Sequence, residues 1–444
     1  MVSSSSTYLR FVSLLLLLIQ CHSLPNWSWD TVQTFIQFAN QSGTFSQSAL
    51  DAFQRQAFVV FEKDQGRWPQ DPQPDGYPMG YEISAEEKIT LACDQVKAVS
   101  PTTDCYMYTE SDWARTQYNL GNDLNNLENS DPSDSPQGIE LYCGGEYAYT
   151  WDNVTCKGCN PEEDLNYYYR AYDFRNETTR TMWVNRVVDN MGPGKSIDGV
   201  FVDGNRDAWS SSVTSLCSKD EANAWSEGLN ESMWLLRKNC DESNSDNGCT
   251  IISNYDTQEA LTMSDGGMLE KFGCSTKNIA QLVELGQDGY LAQVHGQSIK
   301  NEDEFSAALA CFLVGANKYS YFGVGQGWEG YDEDSVMTTW IEDWPEYSRP
   351  LGEPQGDATI TVSGDNDQTT TYFRTFATGT TVFVNLTTTS SSTLINENEN
   401  NIPELSSSSS TEPEESDYLI SSSSQENIVC INWSDGSTTG NGCV

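Results

Sequence analysis

Acid and base chemistry in this chain must run on carboxylates. Of its two histidines, His22 lies in an apolar leader, so only His295 serves the body of the protein. That excludes a His-rich zinc site, and a Ser-His-Asp mechanism would have to use this single residue. No G-x-S-x-G and no P-loop occurs, and the glycine-rich "GVGQGWEG", residues 323–330, comes at the end of the chain's run of βα units in an aromatic setting and reads as a loop and not a dinucleotide fingerprint. Asp and Glu, by contrast, stand repeatedly where apolar runs stop. "IDGVFVDGNRD", residues 197–207, halts at Asp203 and turns at once through a glycine, with Asp207 just beyond. Glu62 and Asp64, Glu110, Asp173 and Glu270 hold comparable positions, and Asn254, Gln293 and His295 add groups that could hold hydroxyls. Two carboxyl groups across one pocket can open a glycosidic bond, one protonating the leaving oxygen while the other attacks the anomeric carbon or activates water. Sugar C–H faces stack on aromatic rings, and the chain has 13 Trp and 21 Tyr. Trp68, Tyr172 and Tyr321 sit beside run ends as candidate platforms, although such rings are also the largest core fillers.

Those residues need a scaffold that brings the ends of many apolar runs together. Short β-rich runs at 57–63, 104–110, 167–174, 199–204, 249–256, 266–273, 289–296 and 319–325 alternate with segments of helical spacing. Between 178 and 190, for example, Met182, Val184, Val187 and Val188 cluster on one side of a helix and Gly192 closes it. Eight such units predict an α/β fold, a (β/α)8 TIM barrel, in which working groups sit at the C-terminal strand ends. The expected organisation is a signal peptide at 1–23, the barrel at 24–356, a small C-terminal β-element at 357–386, and a tail at 387–444. That tail is a disordered Ser/Thr/Glu-rich stretch with a small Cys-bounded end.

Arg10, the apolar stretch 11–19 and the small residues before Leu24 mark a secretory leader, and no later run is long and apolar enough to span a bilayer. Of 13 cysteines, Cys21 leaves with the leader, and the even remainder suits disulfides; Cys240 with Cys249 and Cys430 with Cys443 are the expected pairs. Sequons at Asn26, Asn40, Asn153, Asn176, Asn230, Asn385 and Asn432 fit a secreted glycoprotein, extracellular or in a cell wall or vacuolar compartment. A formal charge of −42 argues against nucleic acid and anionic membranes as partners. A monomer acting on carbohydrate is expected, with no cofactor and no metal.

Several stretches resemble a known group: "YDFRNETTRTMWVNRVVDNMGPGKSIDGVFVDG", "ISNYD", "GGMLEKFG", "LAQVHG" and "ANKYSYFGVGQGW", then "EYSRPLGEPQGDA" and "YFRTFATGTTVFVN". Together, over roughly residues 55–386, they resemble the glycoside hydrolase-like (β/α)8 barrel families, similar in outline to the endo-α-1,4-polygalactosaminidases. The resemblance implies a catalytic pair of a fourth-strand aspartate and a sixth-strand acid, here Asp203 and Glu270. Asp256, Asp265 and Asp207 are alternatives to Glu270. Bland readings stand beside these: Asp203 as a turn or N-cap residue, Glu270 as a solvent-facing acid, and Asp173 as a capping element. The rival to a hydrolase is a carbohydrate-binding or structural cell-surface glycoprotein that keeps the barrel without the chemistry.

Overall fold

A computed structural model of the chain describes residues 24–66, 84–111, 171–192, 194–205, 217–243, 248–254, 261–297, 299, 301–340, 344–364, 367–389 and 427–443. It also describes short strand pieces between 113 and 170. Eight parallel strands form the centre: β1 (Phe35–Asn40), β2 (Phe58–Phe61), β3 (Asp104–Glu110), β4 (Gly199–Asp203), β5 (Thr250–Asn254), β6 (Gly266–Leu269), β7 (Leu291–Gln297) and β8 (Ser320–Gly325). Each pairs with the next in chain order. The sheet curls until β8 returns to β1, where Thr34 bridges Phe322 and the Phe322 N–H donates to the Gln33 carbonyl at 2.9 Å.

Interleaved helices cover the outside: α1 (Gln47–Phe53), α2 (Ala85–Val99), α3 (Glu177–Val188), α4 (Lys219–Ser243), α5 (Thr276–Gln287) and α6 (Glu302–Gly315). Their starts follow from local chemistry. Ser84 and Glu87 form a capping box on α2, and Asn301 caps α6 ahead of three acidic residues that favour the positive end of the helix dipole. Of the residues expected to line α3, Val184 and Val187 are buried, with Trp183 beside them.

An antiparallel sheet of β9 (Thr359–Ser363), β10 (Asp367–Thr375), β11 (Thr381–Thr389), β12 (Ile428–Asn432) and β13 (Thr438–Thr439) packs against α6. Val382, Val384, Val429 and Ile431 are buried in one apolar cluster with Leu309, Phe312 and Leu313 of that helix. The Cys-bounded end is therefore a strand of this sheet, since Ile428–Asn432 pairs with β11. Residues 1–23 and 390–426, where the leader and most of the low-complexity tail were expected, lie outside the described residues.

One predicted barrel strand is misplaced. Tyr169–Ala171, within the 167–174 run, does form a strand, but it pairs antiparallel with Trp113–Ala114 and Tyr149–Thr150 outside the barrel. The eighth barrel strand is β1, whose buried Gln37 and Asn40 interrupt its apolar run. One strand lost and one gained ahead of it leave Asp203 at the end of the fourth.

Among the described residues four disulfides join Cys93–Cys105, Cys240–Cys249, Cys274–Cys311 and Cys430–Cys443, and two of these are the pairs expected. No helix among the described residues is long and apolar enough to cross a membrane. The sequon at Asn40 falls on a fully buried residue whose side chain bonds to Thr44 and Ser42, which denies it to glycosylation.

Candidate active site

The barrel lining changes character along its axis. Near the N-terminal strand ends it is aromatic: Phe58 lies between Phe35, Tyr106 and Tyr321, with ring centroids 5.3, 5.2 and 5.1 Å away. Gly199 is required there, because a Cβ would stand 2.3 Å from the Thr250 carbonyl and 3.0 Å from the Tyr106 ring. Toward the C-terminal ends the lining becomes polar, with Gln37, Glu62, Tyr108, Asp203, Asn254, Glu270, Gln293 and His295 supplied by seven of the eight strands and the turns that follow them.

Asp203 closes β4, and Gly204 adopts φ +72°, a backbone state that glycine reaches without strain. That turn aims the Gly204 N–H at Asp203 Oδ1 at 2.8 Å. The Tyr108 hydroxyl donates to Asp203 Oδ2 at 2.6 Å, and Asn254 Nδ2 donates to Oδ1 at 3.2 Å. Burial pushes the Asp203 pKa up, but the Tyr108 hydrogen bond, the Lys63 charge, Asn254 and the Gly204 amide outweigh it, so the net direction is down. Asp203 is thus held as a carboxylate. Among the described residues the next helix, α4, begins at Lys219.

Asn254 Nδ2 also lies 3.3 Å from Glu270 Oε2, so one amide spans the two carboxyl groups. Glu270 directly follows β6, and the next residue, Lys271, has φ +57°, uncommon for a side chain with a Cβ. The Phe272 N–H donates to the His295 carbonyl at 2.8 Å and ties this tight turn to β7. Asp265, at the other end of β6, is occupied elsewhere: its Oδ2 accepts from Arg237 at 2.7 Å and from the Ile251 N–H at 2.8 Å.

Glu62 follows β2 and is buried, with Oε1 accepting from Gln37 Nε2 at 2.6 Å; Gln293 Nε2 in turn donates to Gln37 Oε1 at 2.6 Å. Lys63 Nζ is 3.6 Å from Glu62 Oε2. Burial pushes the Glu62 pKa to about 7, against the Lys63 charge and the Gln37 hydrogen bond, with Asp203 and Asp64 reinforcing the rise. The site therefore pairs a carboxyl held charged with one readily protonated near neutrality.

His295 is fully buried among Trp328 and Trp340, with centroids 4.3 and 4.9 Å away, and neither ring nitrogen has a hydrogen-bond partner of normal geometry. Burial drives its pKa to about 3, although the Gly325 backbone opposes this slightly, and the imidazole is neutral.

The structure brings together Asp203, Glu270, Asn254 and Glu62, with Asp64 close enough to act on Glu62 and Gln293 joined through Gln37. Glu110 stands in register with Asp203 on the neighbouring strand. Others are placed elsewhere. Tyr321 belongs to the closed aromatic end, and its hydroxyl donates to the Pro25 carbonyl at 2.8 Å. Tyr172 is fully buried against Phe174, and its carbonyl accepts from Trp225, so no sugar can reach it. Asp173 has both oxygens bonded to Arg175, at 2.7 Å each, and the residue that caps α3 is Asn176, whose side chain accepts from the Thr178 N–H. Trp68, Asp207 and Asp256 lie outside the described residues. Gln37, Lys63 and Tyr108 belong to the cluster and were not anticipated; the alternation Tyr106, Tyr108, Glu110 was the available signal for the last.

Residues 144–380 match the family described as hypothetical glycosyl hydrolase family 15. The match takes in more than half of the chain, including β4 to β8 with Asp203, Asn254 and Glu270. The chain belongs to this family. No curated relative matches it. Similar solved structures include cyclic α-maltosyl-(1→6)-maltose hydrolase from Arthrobacter globiformis, at 15% identity and TM-score 0.42, covering 82% of this chain and 92% of that one. A GH27 β-L-arabinopyranosidase from Geobacillus stearothermophilus shows 9% identity and TM-score 0.41, covering 80% and 84%. Trehalose-6-phosphate hydrolase from Bacillus licheniformis shows 12% and 0.40, covering 81% and 90%. Likeness of this degree bears on neither substrate nor mechanism.

Proposed function

We propose that this family member is a secreted glycoside hydrolase cleaving O-glycosidic bonds of a poly- or oligosaccharide, with Asp203 as nucleophile or base and Glu270 as acid/base. The observation that carries the reading is Asn254 Nδ2 within 3.2 Å of Asp203 Oδ1 and 3.3 Å of Glu270 Oε2. Those oxygens are no further apart than the two lengths together. That bounds one oxygen of each group and is compatible with the ~5–5.5 Å of retaining enzymes and with the lower part of the ~6.5–9.5 Å range of inverting ones. In the retaining sequence Asp203 attacks the anomeric carbon while Glu270 gives its proton to the leaving oxygen. Glu270 then takes a proton from water, which attacks the same carbon and returns Asp203 as carboxylate. The resemblance in outline to endo-α-1,4-polygalactosaminidases supports a polysaccharide substrate, and four disulfides support an oxidising, extracellular setting.

One observation favours a second reading of the acid: Glu62, with its pKa near 7, is the better proton holder at neutral pH. Reducing-sugar release from a panel of polysaccharides separates the possibilities, with Asp203→Asn, Glu270→Gln and Glu62→Gln proteins run in parallel. Loss in Asp203→Asn and Glu270→Gln supports the proposed pair. Loss in Asp203→Asn and Glu62→Gln, with Glu270→Gln active, moves the acid to Glu62. Wild-type protein that binds a glycan without releasing sugar would replace the hydrolase by a carbohydrate-binding barrel.

A further inference from the structure

We propose that Lys63 is a positioning residue for Asp203, acting through the Tyr108 hydroxyl rather than by touching substrate. Its ammonium lies 3.4 Å from the Tyr108 hydroxyl oxygen and 4.5 Å from the centroid of the same ring. The Tyr108 hydroxyl has one proton, which it donates to Asp203 Oδ2 at 2.6 Å. The oxygen can therefore only accept from Lys63, and an ammonium donating to it polarises the O–H and strengthens the bond to the carboxylate. Tyr108 is buried, and its ring stacks on Phe201 with centroids 5.7 Å apart, two residues before Asp203 on the same strand. A rigid ring thus carries the influence of a half-buried cation to a fixed point on the carboxylate. Lys63 also lies 3.6 Å from Glu62, so one cation offsets the mutual repulsion of two acids at the barrel mouth.

Among the described residues, the titratable groups around Asp203 are Glu62 and Lys63 after β2, Tyr108 and the register partner Glu110 on β3, and Glu270 after β6 across Asn254. Glu62 acts with the opposite sign to Lys63. The proposal rests on Asp203 as the working carboxylate, and its first test is independent of substrate. Carbon NMR of protein labelled at the aspartate carboxyl gives the Asp203 titration, identified by the signal missing in Asp203→Asn. Lys63→Met, which keeps the stem of a half-buried side chain, should raise the Asp203 midpoint by about one unit, whereas Lys63→Arg should leave it nearly in place. Tyr108→Phe should raise it too, and the double variant should fall short of the sum of the two shifts, because the part of the Lys63 effect relayed by the hydroxyl is already lost while its direct charge remains. An unmoved midpoint in Lys63→Met overturns the proposal, and so does a double variant showing the full sum of both shifts, which would mean that the cation acts on Asp203 by charge alone. On a hydrolysed substrate, Lys63→Met should lower kcat with KM unchanged and move the acid limb to higher pH. A raised KM with an unmoved limb would make Lys63 a substrate ligand instead. If the midpoint moves as expected while Asp203→Asn still hydrolyses, the arm stands as structure and the hydrolase assignment of Asp203 falls.

Discussion

Asp203 and Glu270 share one hydrogen-bond donor, the side-chain amide of Asn254, at 3.2 and 3.3 Å. A neutral donor between two acids permits them to face each other without direct repulsion, and it fixes the gap in which a sugar ring would react. Replacing that donor with a third carboxylate inverts its effect. Asn254→Asp should lower kcat by roughly 10²–10³-fold, the scale seen when a preorganised donor is removed, with the acid limb of the pH profile displaced upward. Steady-state kinetics on the substrate found by the polysaccharide panel check this; an Asn254→Asp enzyme within about threefold of wild type would show that the amide spans the pair without organising it.

Glu62 makes stability depend on pH in a direction unusual for a carboxyl group. Its pKa is raised by burial from 4.5 to about 7, so its contribution is fully present below pH 4.5 and is lost as pH rises through 7. At about 1.4 kcal/mol per unit, the loss by pH 8 is on the order of 3 kcal/mol. Asp104, near the closed end of the barrel, is pushed by burial to about 7 as well, with Asp198 beside it, so the wild-type decline has two sources. Glu62→Gln, whose amide oxygen still accepts from Gln37, should remove about half of the decline between pH 5 and 8. Adding Asp104→Asn should remove most of the rest. Urea midpoints across that range decide the matter, and an unchanged slope in Glu62→Gln would mean that Glu62 stays ionised when folded.

Legibility in the sequence followed how far local rules determine each position. The run ending at Asp203 was readable because a buried parallel strand is uniformly apolar and the Asp-Gly turn is chemically explicit. β1 was not, because its inward Gln37 serves the polar upper half of the barrel and breaks the expected pattern. "YYYRAY" has genuine β-propensity, yet pairing partners rather than propensity decide which sheet a strand joins. Depth along the barrel was the other missing quantity. Asp265 flanks β6 just as Glu270 does, and Tyr321 stands near the start of β8, but both lie at the opposite end of the barrel, and only the four residues of β6 separate Asp265 from Glu270.

The C-terminal sheet is docked by a buried cation that makes no ion pair within 4 Å among the described residues. Arg374 on β10 is buried, and its guanidinium donates to the carbonyls of Leu313 at 3.0 Å, of Ala316 at the end of α6, and of Gly356 at 3.1 Å. Those helix-terminal carbonyls lack intrahelical donors, so the cation satisfies them and meets the negative end of the dipole. Burial lowers the Arg374 pKa to about 10, which leaves it charged at neutral pH. Arg374→Met keeps most of the packing and strips the hydrogen bonds, and it should cost about 3 kcal/mol. A chemical denaturation curve measures this, and a loss below about 1 kcal/mol would mean that apolar contact with α6 alone holds the sheet.

His295 stores the opposite pH dependence. Burial holds its pKa near 3 against an ordinary value of 6.5, so its contribution to stability is present above pH 6.5 and is lost as pH falls toward 3. Its ring lies nearly parallel to Trp340, 15° between planes, and neither nitrogen has a hydrogen bond of normal geometry, an arrangement a phenyl ring would fill without the polar cost. His295→Phe should therefore be as stable as wild type or more so at pH 7.5, and the advantage should widen by roughly 1.4 kcal/mol per pH unit below 6.5. Carboxyl groups add their own acid dependence, common to both proteins, so the difference between the two urea midpoints at pH 7.5, 6.5, 5.5 and 4.5 isolates the histidine. A constant difference across that series would mean the imidazole protonates in place, with a pKa close to its ordinary value. Substrate kinetics then tell whether the buried ring has a second duty. Activity in His295→Phe close to wild type confines it to packing, whereas a raised KM at unchanged stability would put one of its nitrogens on a sugar hydroxyl.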